Sequence, residues 1–259
     1  MPARYAVNAV LLAMLAGAPP AERLQDVRAN GVSLHDVDRG TGEPIVFVHG
    51  ALADYREWGP VAGLLADTYR TITYSRRYNF ANDNRRSAHD HSALVEAADL
   101  AALNRRLRLG KMHVVGVSYG AYTALLLALR EPQLIRTLTL VEPPLVKWLP
   151  DLPGGAALFD QFYRGTWQAA GRAFKQGDPA SAMRISLDFF AGPRRLRPAG
   201  GGKTYPMLHL IDAELEKLLP NGRRVVVPDA SHGVCSEQPP ACAAAIRALL
   251  DRGAAPLRP

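Results

Sequence analysis

The sequence predicts an α/β fold: a mostly parallel central sheet with helices on both faces and an inserted helical lid. Two observations carry this. Short apolar runs of strand length alternate with longer segments whose apolar residues recur at helical spacing, the rhythm of a covered parallel sheet. The runs "IVFV" and "HVVGV" are also apolar without interruption, as strands buried on both sides must be. A chain of 259 residues is long enough for one domain with a sizeable core.

Taken in order, Asn30-Gly31 sits between two alternating segments and predicts a two-residue hairpin. "PIVFVHG" reads as a strand, "YREWGPVAGLLAD" as a helix and "YRTITY" as a strand. "SALVEAADLAALNRRLRLG" has a serine at its start, a glycine at its end and helical periodicity between them. "KMHVVGVS" and "LIRTLTLVEPP" are strands around the helix "YGAYTALLLALREP". From about 145 to 197 aromatics and prolines increase, and short helices forming a lid are expected there, with a peripheral subdomain as the alternative. "YPMLHLIDAELEKLLP" is a helix, "RRVVVPDASHG" the last strand with its loop, and "PPACAAAIRALLDRG" the closing helix.

The N-terminus places one arginine before an apolar run, followed by Ala16-Gly17-Ala18, the order of a secretory signal peptide covering residues 1–21. The alternative is a helix packed on the domain spanning 22–259. A leader would place the protein in the periplasm or outside the cell, and its absence in the cytoplasm. No segment reads as a stable membrane span. The net charge of +7 comes mostly from scattered arginines, a solvated surface rather than a nucleic-acid tract. Cys235 and Cys242 fit no metal spacing and read as two ordinary small residues, although an exported protein can join them.

Gly116-Val117-Ser118-Tyr119-Gly120 matches G-x-S-x-G between a strand and a helix, the context the motif requires. The strand exit must turn sharply to present Ser118, and side chains at 116 or 120 would collide with the neighbouring strand and helix. The following helix offers free N–H groups to developing negative charge. A serine nucleophile needs a base. Of seven histidines, His232 follows the last apolar run and precedes the closing helix, which puts it beside the elbow. His49-Gly50 ends the strand "IVFV", and His49 is read as structural, bonding backbone near the site. An oxyanion needs two N–H donors, each worth about 3 kcal/mol; Tyr119 supplies one, and Ala51 the other with Leu52 as alternative. Trp58 and Tyr122 either line the pocket or fill the core.

"HGALADYREW", "GVSYGAY" and "ASHG…EQP" together resemble the α/β-hydrolase superfamily in its lid-bearing esterase, lipase and lactonase branch. The resemblance implies a serine hydrolase acting on a small-molecule ester or lactone through an acyl-enzyme, without metal or organic cofactor. Two departures accompany it. The family commonly carries an acid after its seventh strand, but "GGGKTYP" has none; some members use an acid after the sixth, where Glu142 stands. Its alternative role is to pair with a lid arginine, and Asp212, Glu214 and Asp229 are weaker candidates. The seventh strand itself is missing, since "AGPRRLRPAGGG" holds one large apolar residue and two prolines. The last strand then pairs with the sixth or with a segment around 196–201. Either choice shifts His232 by up to about 4.8 Å. Two rival readings follow: a catalytically impaired hydrolase-like binding protein, and another reaction on the same triad, either carbon–carbon hydrolysis or peroxyacid formation.

Overall fold

The computed structural model describes residues 23–85, 90–190, 204–219 and 221–253. The leader segment 1–21 and the stretch 191–203, where the seventh strand was sought, lie outside them. A six-stranded sheet runs in the order β1-β2-β4-β3-β5-β6. The strands are β1 (Gln25–Ala29), β2 (Val32–Arg39), β3 (Pro44–Val48), β4 (Arg70–Tyr74), β5 (Met112–Val117) and β6 (Ile135–Val141). β1 and β2 form the hairpin expected at Asn30-Gly31, where both residues take positive φ (49° and 77°) as a tight hairpin turn demands. β2 meets β4 antiparallel, and the β4-β3-β5-β6 half is parallel.

Alternation along β3 shows how the sheet is covered. Val46 and Val48 face a cluster built with Leu100 and Leu103 of α2 (Ala93–Leu107) and Leu127 of α3 (Tyr119–Arg130). Ile45 and Phe47 face Val61 and Leu65 of α1 (Gly59–Leu65), together with a helix at the end of the described chain. Successive side chains on a strand point to opposite faces, so a strand covered twice must be apolar throughout. Ser92 caps α2 by accepting from the Val95 N–H at 3.2 Å. Trp58 is fully buried with its ring centroid 5.1 Å from that of Phe47, so it fills the core.

Between β6 and residue 190 lie α4 (Gly155–Phe162), a π-helical turn (Tyr163–Trp167), α5 (Gln168–Lys175) and α6 (Pro179–Phe190). Leu149 and Phe162 pack against Leu208, Ile211 and Leu215 of α7 (Pro206–Leu218) in a cluster of their own. The chain then continues through α8 (Val234–Glu237) to α9 (Pro239–Gly253), which covers the second face of the sheet.

One expected element is corrected. Residues 222–228 form no strand, and Val225 and Val226 are 52% and 51% exposed. Three consecutive valines favour strand only where a neighbouring strand takes up their backbone groups. The described sheet ends at β6, and the segment pairs with no strand of it. Other contacts position the loop that follows. The Ser231 N–H donates to Glu237 Oε2 at 2.9 Å, the Ser231 hydroxyl also bonds Glu237, and Gln238 Nε2 donates to the Pro228 carbonyl at 2.9 Å.

A disulfide joins Cys235 to Cys242, correcting their reading as two ordinary small residues. It ties α8 to α9 directly behind this loop. Closing so short a loop restrains the unfolded chain by roughly 2 kcal/mol. Replacing both cysteines by serine is expected to cost about that much, a fall in Tm of several degrees in calorimetry. Reduction of the native protein should reproduce the loss, and an unchanged Tm would show that the bond holds nothing.

Candidate active site

The elbow is built by steric necessity. Ser118 has φ 53° and ψ −123°, a backbone conformation that L-residues rarely adopt. It is held there by its N–H donating to the Val141 carbonyl at 2.8 Å and by its carbonyl accepting from the Tyr122 N–H at 3.1 Å. A Cβ on Gly116 would stand 2.6 Å from the Gly120 carbonyl oxygen, and one on Gly120 would stand 2.3 Å from that of Val48. Both glycines are therefore required by close backbone approach. Tyr119 opens α3, so its N–H is among the four that a helix leaves without an internal partner.

Facing the elbow is the loop after β3. His49 is fully buried, and its bonds determine its tautomer. Nδ1 donates to the Gly50 carbonyl at 2.8 Å, and Nε2 accepts from the Arg76 N–H at 2.9 Å. Burial, then the neighbouring Arg76 charge, lowers its pKa to about 3, so the ring is neutral. Arg76 reaches the same loop, with Nη2 donating to the carbonyls of Gly50 (2.9 Å) and Ala51 (3.3 Å) while Nη1 pairs with buried Glu96 at 2.5 Å. Its guanidinium also lies 4.8 Å from the centre of the Tyr119 ring. Next to it, Arg77 Nη2 pairs with buried Asp99 at 2.6 Å. These two ion pairs fasten the end of β4 to α2 and, through Arg76, hold the loop carrying Ala51.

Glu142 stands just past β6 with φ 48°, like Ser118 a non-glycine residue at positive φ. Its Oε2 accepts from His232 Nδ1 at 2.5 Å and from the Thr204 hydroxyl at 2.8 Å. His232 is thereby oriented with Nδ1 as donor and Nε2 as acceptor. Among the described residues the partners of Glu142 are this imidazole and the Thr204 hydroxyl; Arg194, Arg195 and Arg197 of the lid lie outside the described residues. Asp212 on α7 lies close enough that burial, and after it the Glu142 charge, raises its pKa to about 7. Glu214 instead pairs with Lys217 at 3.1 Å at the surface.

Three residues near this site escaped sequence reasoning. Thr204 and Arg76 are joined to it only by contacts distant in the chain. Glu57 is the third: its Oε2 accepts from the Gly50 N–H at 2.7 Å. A Cβ on Gly50 would lie 3.7 Å from both Glu57 oxygens and 3.7 Å from the Ser118 Cβ, so carboxylate and serine approach one face of that glycine. The position of Glu57 inside "HGALADYREW" was the only available signal. Among the described residues no group of three His, Cys, Asp or Glu side chains could hold a metal ion, and no helix is long and apolar enough to cross a membrane.

A family profile described as the alpha/beta hydrolase fold matches residues 43–189, more than half of the chain. The chain belongs to the alpha/beta hydrolase fold family. That membership makes it an enzyme. A Mycobacterium tuberculosis protein to which the name non-heme bromoperoxidase BpoC has been given is 30% identical over 247 residues, covering 79% of this chain and 92% of that protein. Epoxide hydrolase 3 of Siraitia grosvenorii is 27% identical over 169 residues, covering 62% of this chain and 54% of that one. Among solved structures, a thermophilic esterase from Thermogutta terrifontis superposes with TM-score 0.62 at 21% identity, over 90% of this chain and all of that one. An epoxide hydrolase from Vigna radiata does so with TM-score 0.69 at 15% identity, over 91% and 99%. At such identities the two structures speak for the alpha/beta hydrolase fold and no further.

Proposed function

We propose that this alpha/beta hydrolase is a serine hydrolase that cleaves a carboxylic ester or lactone through an acyl-enzyme. One observation carries the reading: His232 donates Nδ1–H to Glu142 at 2.5 Å, which leaves Nε2 to act as a base for the strained, elbow-borne Ser118. Ser118 Oγ attacks the acyl carbon while His232 Nε2 takes its proton. The oxyanion forms against the N–H groups of Ala51 and Tyr119. His49 and Arg76 hold the carbonyls of this loop inward, which preorganises the Ala51 donor. As the C–O bond breaks, His232 returns the proton to the leaving alcohol. Water, deprotonated by the same imidazole, then cleaves the acyl-enzyme. Glu142 stabilises the imidazolium in both halves, and Thr204 steadies Glu142.

The helices between 146 and 190 act as the lid over the acyl portion, and Tyr122 borders it. The disulfide favours export to an oxidising compartment, in line with a leader over residues 1–21.

A p-nitrophenyl ester series and a set of lactones test the reading. Ser118→Ala is expected to lower kcat about 10⁵-fold, towards the uncatalysed rate, at unchanged Tm. Turnover that survives this substitution would remove Ser118 from the mechanism. A second reading is favoured by the bromoperoxidase name of the relative: peroxyacid formation. Hydrogen peroxide would replace water in the second half-reaction, giving the peroxyacid and free enzyme. Adding peroxide to an acyl-donor assay and measuring halide oxidation distinguishes the two.

A further inference from the structure

We infer that Glu57 selects esters whose leaving alcohol carries a cationic group, such as a quaternary ammonium. This rests on the serine hydrolase reading and names a substrate class for the same site.

Glu57 is a half-buried carboxylate on the Ser118 side of Gly50. One oxygen is satisfied by the Gly50 N–H. The other has no hydrogen bond among the described residues, and no described lysine or arginine pairs with the carboxylate. The charged groups around it are already committed: Arg76 to Glu96, Asp54 to Arg56 and His232 to Glu142. Burial pushes the Glu57 carboxyl up in pKa, against the opposing pull of the Gly50 N–H. A charge desolvated in this way is retained at a cost unless something compensates it.

The position makes that cost catalytic. An ionised Glu57 beside the oxyanion loop opposes the charge that forms on a neutral ester. A cation in the substrate cancels the opposition and gains an ion pair with a carboxylate already half removed from water. Glu57 interacts electrostatically with His232, the group proposed to protonate the leaving alcohol. We place the cationic alcohol portion on this side of Ser118, where Glu57 and the serine approach one face of Gly50.

The test uses two isosteric methylphosphonate thioesters, one with a 2-(trimethylammonio)ethanethiol leaving group and one with 3,3-dimethylbutanethiol. In each, Ser118 Oγ bonds phosphorus, the P–S bond breaks, and the serine proton leaves with the thiol. Intact-protein mass spectrometry gives the two rates. The cationic reagent should react about tenfold faster or more. Glu57→Gln keeps an acceptor for the Gly50 N–H and should bring the ratio near one, chiefly by speeding the neutral reagent. Glu57→Asp keeps the charge and should keep most of the preference. Because the readout is a ratio, partial loss of folding does not imitate the result. Equal rates in the native enzyme, a ratio unchanged in Glu57→Gln, or reaction with a small fluorophosphonate but with neither thioester would overturn the inference. Failure of the fluorophosphonate as well would overturn the hydrolase reading, and this inference with it.

Discussion

Under the proposed mechanism, Glu142→Gln is expected to lower kcat for ester hydrolysis by about 10³- to 10⁴-fold while Tm stays within a few degrees, because glutamine keeps the shape of the side chain and loses its charge. The carboxylate accepts from His232 Nδ1 at 2.5 Å and so specifies the tautomer in which Nε2 is the acceptor, the atom proposed as the base. A glutamine offers either its amide oxygen, which orients the ring but cannot stabilise imidazolium, or its NH₂, which favours the wrong tautomer. Near-normal turnover would reject Glu142 as the triad acid and turn attention to Asp212, the next carboxyl in electrostatic reach. Thr204→Val is expected to act more mildly, since it removes one hydrogen bond from Glu142 and leaves the charge.

Asp36→Asn stabilises the protein at pH 8 by roughly 2–4 kcal/mol and leaves it nearly unchanged at pH 4. Asp36 lies fully buried on β2, and neither oxygen has a hydrogen-bond partner among the described residues. Burial, then the charge of Asp38, raises its pKa to about 7. Between its ordinary value near 4 and about 7, the folded chain therefore binds the proton that the unfolded chain has released. Stability falls as pH rises through that window, and the full cost is present above it. Asparagine never ionises, so the difference between variant and native protein should grow from pH 4 to pH 8 and then level. Urea denaturation at the two pH values measures it. A difference independent of pH would mean that Asp36 is compensated and carries no such cost.

The parallel half of the sheet was legible because burial on two faces writes an unbroken apolar run, as in "IVFV" and "HVVGV". The elbow was legible because close backbone approach at residues 116 and 120 admits only glycine. The segment 222–228 was misread for a physical reason. Valine's preference for strand reports the neighbours it packs on, and those lie elsewhere in the chain. His232 still reaches Glu142 without that strand, because Glu237, Gln238 and the Cys235–Cys242 bond secure its loop locally. The disulfide was hidden for a related reason, since only the turn from α8 into α9 brings the two cysteines together. Glu57, Arg76 and Thr204 bear on the site through contacts that no spacing encodes. Glu57 looks like an ordinary residue in the first turn of a surface helix until Gly50 is placed against it.

The most direct measurement is the rate at which a fluorophosphonate modifies the native enzyme and its His232→Ala variant, followed by intact mass and located by peptide mapping. The account predicts one adduct per chain on Ser118, none in Ser118→Ala, and reaction slowed about 10³-fold or more without the imidazole. Equal rates with and without His232, or an adduct on any other residue, would contradict it.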